Sequence, residues 1–451
     1  MKTKRILPFI LSSLAVLSGF IASAQQGTEP AVNTFSVQQA VDYAMQNAVQ
    51  VKNAMLDIES QRQSNKEVTA SALPQINGNV SLTDYLSIPT SLIPAEFFNG
   101  PAGTYVPIKF GTKYNGSYGA DLQQILFDGQ VFVGLQARKT SIDFYTKTAE
   151  ITKEQIKANV YKVYYQLVVG EKQIGTINAN IANYEKLLHD TREIYKNGFA
   201  EKLDVDKVQV QLNNLYTQKL KAQNQIDAGL AGLKFLMHMP QQDSLVLSDT
   251  LSEEELKSNI LDENYNYEDR KEYQLLGLQS KLQEFNVKRY KLSKIPTLTF
   301  SANVNQNAQR SKFNFFKSGQ QYFTTSFIAF KLAVPIFDGG ARNARIASAK
   351  IDLLKTQNNI DQLKESIDND VAQARINMKS ALYTMDSQKK NIELAENVYN
   401  STRLKYEQGV GSNQEINQAQ TDLVTAQNNY YSSLYDAIIA KINYLQAAGK
   451  L

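Results

Sequence analysis

The sequence contains no cysteine among its 451 residues and only two histidines. Disulfide bonds, thiolate metal sites, thiol nucleophiles and a lipid-modified N-terminal cysteine are therefore excluded. The histidines, His189 and His238, lack the spacing of metal ligands, and the sequence shows neither a glycine-rich phosphate loop nor a nucleophile elbow. We therefore predict a protein that is not an enzyme and that carries no cofactor and no metal.

A strong charge of one sign is also missing. The net charge is +4, and three of the positive charges, Lys2, Lys4 and Arg5, lie at the extreme N-terminus. Because no basic patch is interleaved with aromatic residues, the sequence offers no electrostatic basis for binding nucleic acid.

The first 24 residues have the pattern of an export signal. Behind the positive start, Ile6 to Phe20 form a short apolar stretch, and Ala22-Ser23-Ala24 matches the site that signal peptidase cleaves. The stretch is shorter than the about 20 residues of a membrane-spanning helix. We predict that residues 1–24 are a signal peptide and that the mature chain is exported.

Long apolar helices are missing from the rest of the sequence as well. No later segment is apolar enough to be a transmembrane helix. Any part of the mature chain that spans a membrane would therefore consist of strands closed into a barrel, since a barrel leaves no backbone group unpaired.

The mature sequence is a duplication. A Phe-Asp-Gly triplet at 127–129 recurs at 337–339, and an Arg-x-x-Tyr-x-x-Gly motif at 192–198 recurs at 403–409. The distance from the Phe to the Tyr is nearly the same in both copies, whereas the segment before the triplet differs in length by twelve residues. One part of each copy is thus constant in length, and the other tolerates insertion as loops do.

Two structural repeats follow from this spacing, at 25–238 and 270–451, joined by an equatorial segment at 239–269. Each repeat is predicted to contain a helix, a β-hairpin, a long helix and a return helix. The long helices, from about 131 to 196 and 341 to 407, contain no proline and would be rods of roughly 100 Å.

The last return helix has a seven-residue repeat. One row of this repeat contains Ile416, Leu423, Tyr430, Ala437 and Tyr444, and a row of small residues contains Ala419, Ala426, Ser433 and Ala440. A seven-residue repeat predicts a supercoiled helix–helix seam, and small residues let the helices approach closely.

Four segments alternate between apolar and polar residues and are predicted to be β-strands, near 75–85, 113–126, 297–305 and 322–335. The alternation fits a water-filled transmembrane barrel, and it equally fits a soluble sheet packed on a core. The signal peptide and the lack of a helix layer beside the strands favour the barrel. Four strands cannot enclose an aqueous lumen, so several chains would have to contribute. The connections at 86–112 and 306–320 are predicted to be long loops facing outside.

Together these landmarks resemble the TolC-like outer membrane efflux protein family. The resemblance implies an α+β membrane protein that forms a homotrimer in outer-membrane lipid. Its fold would be a trimeric 12-strand transmembrane β-barrel continued by a long periplasmic α-helical barrel. It also implies two partners, a periplasmic adaptor (membrane fusion) protein and an inner-membrane pump of RND or ABC type.

The function that the resemblance implies is a passive exit duct for small molecules in a tripartite efflux system. Two alternatives stay open: the outer-membrane channel of a type I protein secretion system, and a periplasmic coiled-coil scaffold that conducts nothing. The amphipathic strands argue against the scaffold, which needs no lipid-facing residues. The transported substrate is not readable from the sequence.

Two groups of residues are candidates for structural or functional roles. At the strand-to-helix junctions Phe127, Asp128, Gly129, Phe337, Asp338 and Gly339 are predicted to place an aromatic ring at the membrane boundary, cap a helix and allow a sharp turn. The periplasmic gate and adaptor-docking tip is predicted at Tyr195, Gly198, Asp204, Tyr406, Gly409 and Glu415.

The acids at the tip allow two interpretations. Asp204 and Glu415 each begin a return helix, where the helix dipole favours a carboxylate. In the family, acids at such positions can ring the pore, and threefold symmetry would then form a constriction that favours cations. Some relatives place a basic residue where this chain has Gly411, so we predict that closure rests on Tyr406 with Asp204 across the tip.

Overall fold

The computed structural model describes residues 32–250, 253–257 and 265–451 of the chain. The signal peptide predicted at 1–24 lies outside these residues. In chain order the first part contains β1 (Val32–Phe35), α1 (Val37–Asn47), α2 (Val49–Ala70), β2 (Gln75–Asp84), β3 (Thr90–Pro94), β4 (Tyr105–Lys109), β5 (Tyr114–Phe127), α3 (Gly129–Lys196) and α4 (Lys202–Met237). It continues with β6 (Ser244–Leu247), α5 (Glu253–Lys257), α6 (Lys271–Leu292), β7 (Thr297–Arg310), β8 (Phe323–Ala333), α7 (Ala341–Glu407) and α8 (Asn413–Ala447).

The helices of the two repeats match in length. The long helices α3 and α7 have 68 and 67 residues, and the return helices α4 and α8 have 36 and 35. The helices that precede the hairpins, α2 and α6, have 22 residues each. The constant spacing of the sequence motifs is thus a constant helix length, and the added residues of the first repeat lie between β2 and β5.

Four of the strands form one antiparallel sheet in the order β2-β5-β7-β8. The two central strands, β5 and β7, come from different repeats, so the sheet unites both copies. Their pairing runs from Tyr114 opposite Arg310 to Phe127 opposite Leu298. The outer strands of this sheet are β2 and β8.

A β-bulge interrupts the pairing of β5 with β7 between Ile125 and Phe127. A bulge inserts one residue and so changes which face of the sheet the following side chain occupies. Before the bulge, Leu122 lies opposite Ala302, and after it Phe127 lies opposite Leu298. Phe127 is thereby placed on the same face as the apolar residues of β7, which strict alternation along β5 would not predict.

Two predictions about the connections were wrong. The segment 86–112 is not an irregular loop, because it contains a hairpin of β3 and β4 with a short 3-10 helix, Ala95–Phe98, between them. The segment 306–320 begins with strand, since β7 continues to Arg310. Polar and turn-forming residues concealed the strand pattern in both segments. β3 and β4 pair with each other, whereas residues 306–310 of β7 pair with residues 114–118 of β5, which are distant in sequence.

A parallel pair of short strands was not predicted at all. β1 pairs with β6, with Val32 opposite Ser244 and Phe35 opposite Leu247. β6 belongs to the segment between the repeats, and four-residue strands carry too short a pattern to be recognised in sequence.

The described residues fall into two compact units, and each contains segments of both repeats. One unit consists of Asn53–Thr152 and Tyr265–Asp370 and holds the four-stranded sheet; the other consists of the remaining described residues. The duplicated sequence therefore does not fold as one compact unit per copy.

The heptad seam predicted in α8 is confirmed by burial. Eight of the nine residues in its two rows are at most 9% exposed, and Tyr430 is half-buried. Ile416 and Leu423 belong to a core that also contains Val208 of α4 and Tyr184 of α3. The seven-residue repeat thus packs α8 against the helices of the other repeat.

No helix in the described part of the chain is both long enough and apolar enough to cross a membrane.

A second core surrounds Tyr164 of α3, whose side chain is fully buried. Its hydroxyl donates to the carbonyl of Phe35 at 2.8 Å and accepts from the backbone N–H of Asp249 at 3.3 Å. One phenol thus attaches the ends of the β1–β6 pair to the long helix.

We expect Tyr164→Phe to lower the free energy of unfolding by about 1–2 kcal/mol, because the N–H of Asp249 loses its partner and the carbonyl of Phe35 keeps only the N–H of Ser248. Urea denaturation of the detergent-solubilised protein followed by circular dichroism measures this change. Tyr216→Phe is the matched control, since that hydroxyl meets Glu185 on the surface, and it should change the value by at most about 0.5 kcal/mol. Equal effects of the two substitutions would contradict the anchoring role of Tyr164.

Candidate functional site

Two tight turns join the long helices to their return helices. The turn after α3 contains Gly198 and the turn after α7 contains Gly409, with φ of +78° and +76°. This left-handed conformation suits glycine and ends a helix, so both glycines are C-caps of their long helices.

The turns close with the same backbone hydrogen bonds. In the first, Gly198 donates to the carbonyl of Tyr195 at 2.9 Å, and Phe199 donates to Ile194 at 3.0 Å. In the second, Gly409 and Val410 make the equivalent bonds to Tyr406 and Lys405, both at 3.0 Å. This pair of bonds is the Schellman motif.

The two acids at the tip lie in capping boxes. The Asp204 carboxylate accepts from the backbone N–H of Glu201 at 3.2 Å. In the second copy Glu415 accepts from the N–H of Ser412 at 3.3 Å, and the Ser412 hydroxyl accepts from the N–H of Glu415 at 3.2 Å. Each carboxylate therefore satisfies a backbone donor that the helix start leaves unpaired. The geometry of one chain therefore supports the first of the two interpretations, in which each acid stabilises the start of its return helix.

The two tyrosines of the repeated motif have different surroundings. Tyr195 is exposed, whereas Tyr406 packs against the buried core of α3, α4 and α8. The Tyr406 hydroxyl lies 3.3 Å from the hydroxyl of Thr191, which is itself completely buried. Within one chain the partner of Tyr406 is therefore Thr191, and the predicted contact with Asp204 is not formed.

The arginines of the motif, Arg192 and Arg403, also differ in their contacts. No role was predicted for them beyond marking the repeat. Arg192 donates to the side chain of Gln209 at 2.8 Å on the surface. Arg403 lies over the ring of Tyr399 at 5.8 Å and reaches the carboxylate of Glu407 at 3.7 Å. The arginine–tyrosine contact exists because α7 places the two residues four positions apart on one face.

A groove of about 210 Å³ lies beside Tyr406. It is lined by Asn183, Lys186, Leu187, Asp190, Ile194, Tyr399, Arg403, Tyr406, Glu407 and Ile416. Burial raises the pKa of Tyr399, and burial raises the pKa of the neighbouring Tyr184 to about 12. Tyr399 and Tyr184 therefore stay neutral hydrogen-bonding groups at any physiological pH.

A glycine is required at position 411 for a steric reason that the sequence did not indicate. A Cβ atom there would lie 3.0 Å from the backbone nitrogen of Tyr406 and 3.1 Å from the Cβ of Lys405. The N–H of Gly411 also donates to the Lys405 carbonyl at 3.0 Å. The chain therefore returns close against the last turn of α7, and a larger residue at 411 would push the turn open.

The strand-to-helix junctions have the predicted caps. Asp128 accepts from the N–H of Gln130 at 2.8 Å. Asp338 accepts from the N–H of Gly340 at 3.1 Å and of Arg342 at 3.0 Å, and it pairs with the Arg342 guanidinium at 2.9 Å. Both acids therefore cap their long helices.

The glycines of the two junctions have different structural roles. Gly339 has a φ of +66° and makes the sharp turn that the sequence predicted. Gly129 is helical instead, and a Cβ there would lie 2.8 Å from the Cβ of Leu292. In the first copy glycine is thus needed for close packing against α6 rather than for its backbone conformation.

Among residues 32–250, 253–257 and 265–451, no group of three or more His, Cys, Asp or Glu side chains is placed to hold a metal ion. The described site consists of helix turns, helix caps and a groove. Its residues make contacts and restrain the conformation of the turns.

The chain is similar to outer membrane efflux and secretion proteins. Residues 279–450 match the family model described as outer membrane efflux protein. The chain is 20% identical over 346 residues to the outer membrane protein TolC of Vibrio cholerae, a match that covers 74% of this chain and 77% of that one. It is 18% identical over 299 residues to the proteases secretion protein PrtF of Dickeya chrysanthemi. That match covers 65% of this chain and 62% of PrtF, which is less than two thirds of its length.

The fold is shared with solved outer-membrane channels. CusC, whose structures concern folding and transmembrane channel formation, superposes with a TM-score of 0.74 at 16% identity, covering 94% of this chain and 95% of that one. The helix-rich fold with a four-stranded sheet is therefore that of these channels. The match of residues 279–450 to the family model, the sequence relatives and the shared fold confirm the resemblance to TolC-like outer membrane efflux proteins that the repeated motifs carry.

Proposed function

We propose that the protein is the outer-membrane exit duct of a tripartite efflux system and passively conducts small molecules. An inner-membrane pump of RND or ABC type and a periplasmic adaptor would deliver the cargo. The observation that carries this proposal is the four-stranded sheet, because one of its faces is apolar and exposed.

The apolar face has the composition of a lipid contact. Val80 of β2 is 86% exposed, and Ile328 and Phe330 of β8 are 72% and 67% exposed. The opposite face carries polar residues, among them Asp121 opposite Asn303. Large apolar residues exposed in rows are costly in water but stable in a bilayer, whereas polar residues suit an aqueous lumen.

Aromatic residues border the apolar face at both ends. Phe127 lies at one end of β5, and Tyr118 and Tyr114 lie towards the other. Phe127 and Tyr118 are about 30 Å apart along the strand, which a tilt of about 40° reduces to about 23 Å. This separation matches the apolar band of about 25 Å between the aromatic girdles of outer-membrane barrels.

The unpaired edge strands of the sheet support a barrel that is formed by several chains. β2 and β8 each pair on one side only in the described chain, and an unpaired edge is unstable in lipid. A homotrimer would pair β8 of each copy with β2 of the next and close a 12-strand barrel. The long helices, with their heptad seam, would form the tunnel walls, and the turns at Gly198 and Gly409 would be the gate and adaptor-docking tip.

A second candidate is the channel of a protein secretion system. It is favoured by the match to PrtF, whose name describes secretion of proteases. The two candidates are separated by deleting the gene: efflux predicts increased sensitivity to small toxic compounds, and protein secretion predicts the loss of particular proteins from the medium. A non-conducting scaffold gives no reason for the exposed apolar face.

The absence of cysteine makes the proposed strand pairing directly testable. One cysteine introduced at Asn79 of β2, combined with a cysteine scanned along Phe323–Ala333 of β8, should give covalent trimers on oxidation. A closed ring of three chains requires each copy to donate one edge to each neighbour. Denaturing electrophoresis measures the product.

Single-cysteine variants of the central strands β5 and β7 are the matched controls and should stay monomeric. If no position on β8 gives more than a covalent dimer, the closed trimeric barrel is wrong.

The gate is tested with Tyr406→Phe, which keeps the ring in the core and removes only the hydroxyl contact with Thr191. We expect a several-fold higher single-channel conductance in planar bilayers, because a restraint between α7 and α3 is lost. Asp204→Asn should act in the same direction, and Tyr195→Phe, on an exposed tyrosine, is the control. Unchanged conductance in both Tyr406→Phe and Asp204→Asn would refute this gate.

A further inference from the structure

The second hairpin and its flanks carry charge of only one sign. No Asp or Glu occurs from Phe285 to Phe337, although this span contains eight basic residues. They are Lys288, Arg289, Lys291, Lys294, Arg310, Lys312, Lys317 and Lys331. Beyond the first 28 residues, which are also free of acids, the rest of the chain mixes acids and bases, so this segment is distinguished by its electrostatics.

The connection between β7 and β8, residues 311–322, folds back onto the apolar face of the sheet. The ring of Phe315 lies so close to Gly116 that a Cβ atom there would come within 2.8 Å of it. Next to it, Phe313 meets the ring of Tyr114 edge-on, with centroids 5.7 Å apart. Tyr322 meets Tyr118 in the same way at 5.6 Å. The residues on this face belong to the same rows as Val304 and Leu122.

The folded connection is held by defined contacts. Arg310 donates to the carbonyl of Gln321 at 2.6 Å and lies 5.6 Å from the centroid of the Tyr322 ring. The Tyr322 hydroxyl donates to the carbonyl of Phe315 at 2.9 Å. Asn314 donates to Gln320 at 3.2 Å. These contacts hold the connection in a defined conformation against the sheet.

Three outward side chains combine apolar and basic character. Phe316 is 89% exposed, and Lys312 and Lys317, on either side of it, are exposed as well. A nearby basic residue, Lys113, is already matched by Asp84 at 4.0 Å. Residues 312–317 thus expose an aromatic ring and two cations in one short segment that lies next to the apolar rows.

We propose that residues 311–322 bind the phosphate-bearing headgroup of a lipid at the outer edge of the apolar face. Phe316 enters the acyl region, and Lys312 and Lys317 contact the phosphates. The inference rests on the proposed function, since it requires the apolar face to lie in a bilayer. A free anion would not need an exposed phenylalanine, whereas a lipid combines the two chemistries that the surface combines.

The test is native mass spectrometry of the full chain purified in detergent and titrated with lipid. The probes are diphosphoryl lipid A, the same lipid with its phosphates removed, and inorganic phosphate. Lys312→Gln with Lys317→Gln should weaken binding of diphosphoryl lipid A about 25-fold, which is about fivefold per lysine. The same pair should leave binding of the dephosphorylated lipid unchanged.

Phe316→Ser supplies the complementary variant and should weaken binding of both lipids equally. The matched control is Lys221→Gln with Lys390→Gln, two exposed lysines of α4 and α7, and it should bind both lipids as the original chain does. Unchanged binding of diphosphoryl lipid A by the Lys312 and Lys317 variant would overturn the proposal. Displacement of the lipid by inorganic phosphate would also overturn it, because the ligand would then be a free anion, and so would equal losses in the control.

Conductance in planar bilayers is measured on the same preparations. It distinguishes a failure of the proposed channel function from a failure of the lipid site. If the original chain forms no channel, the proposed function fails. If the Lys312 and Lys317 variant conducts normally and retains diphosphoryl lipid A, the lipid site alone is wrong.

Discussion

β5 and β7 pair over their whole length, from Tyr114 opposite Arg310 to Phe127 opposite Leu298, and these strands come from different repeats. A single hairpin is marginal in water because it has too little surface to pack. The long-range pairing converts two hairpins into one four-stranded sheet with a continuous apolar face. The aromatic borders, the exposed edge strands and the platform under residues 311–322 all depend on this register.

The duplication has preserved backbone devices and changed side-chain contacts. Both helical turns use a glycine with positive φ and the same pair of Schellman bonds, and both return helices begin with an acid in a capping box. Such devices satisfy backbone groups and so depend little on neighbouring elements. The tyrosines of the same motif differ, because Tyr406 is packed in the core with Thr191 whereas Tyr195 is exposed. The two turns of a chain thus have the same backbone shape, but only the second is restrained by a hydroxyl contact within the described residues.

This inequality would affect how the proposed channel opens. A restraint between α7 and α3 near Tyr406 would resist separation of those helices, and the first turn has no equivalent hydroxyl contact within the described residues. An adaptor bound at the tip would therefore have to break a small number of polar contacts on one side. Tyr184 and Tyr399, which belong to the same core, are neutral, since burial raises the pKa of each.

The amino-acid sequence by itself determined the long helices, the four strands of the main sheet and the resemblance to outer membrane efflux proteins. Helix length follows from motif spacing, and the heptad rows of α8 identify its buried side, because periodicity is a local property that is written along the chain. Caps such as Asp128 and Ser412 with Glu415 are likewise local. The tertiary structure decided what depends on partners distant in sequence: the register of β5 with β7, the bulge that turns Phe127 outward and the pairing of β1 with β6. It also decided the contact of Tyr406 with Thr191, 215 residues away, since no local pattern specifies which side chain a folded helix will meet.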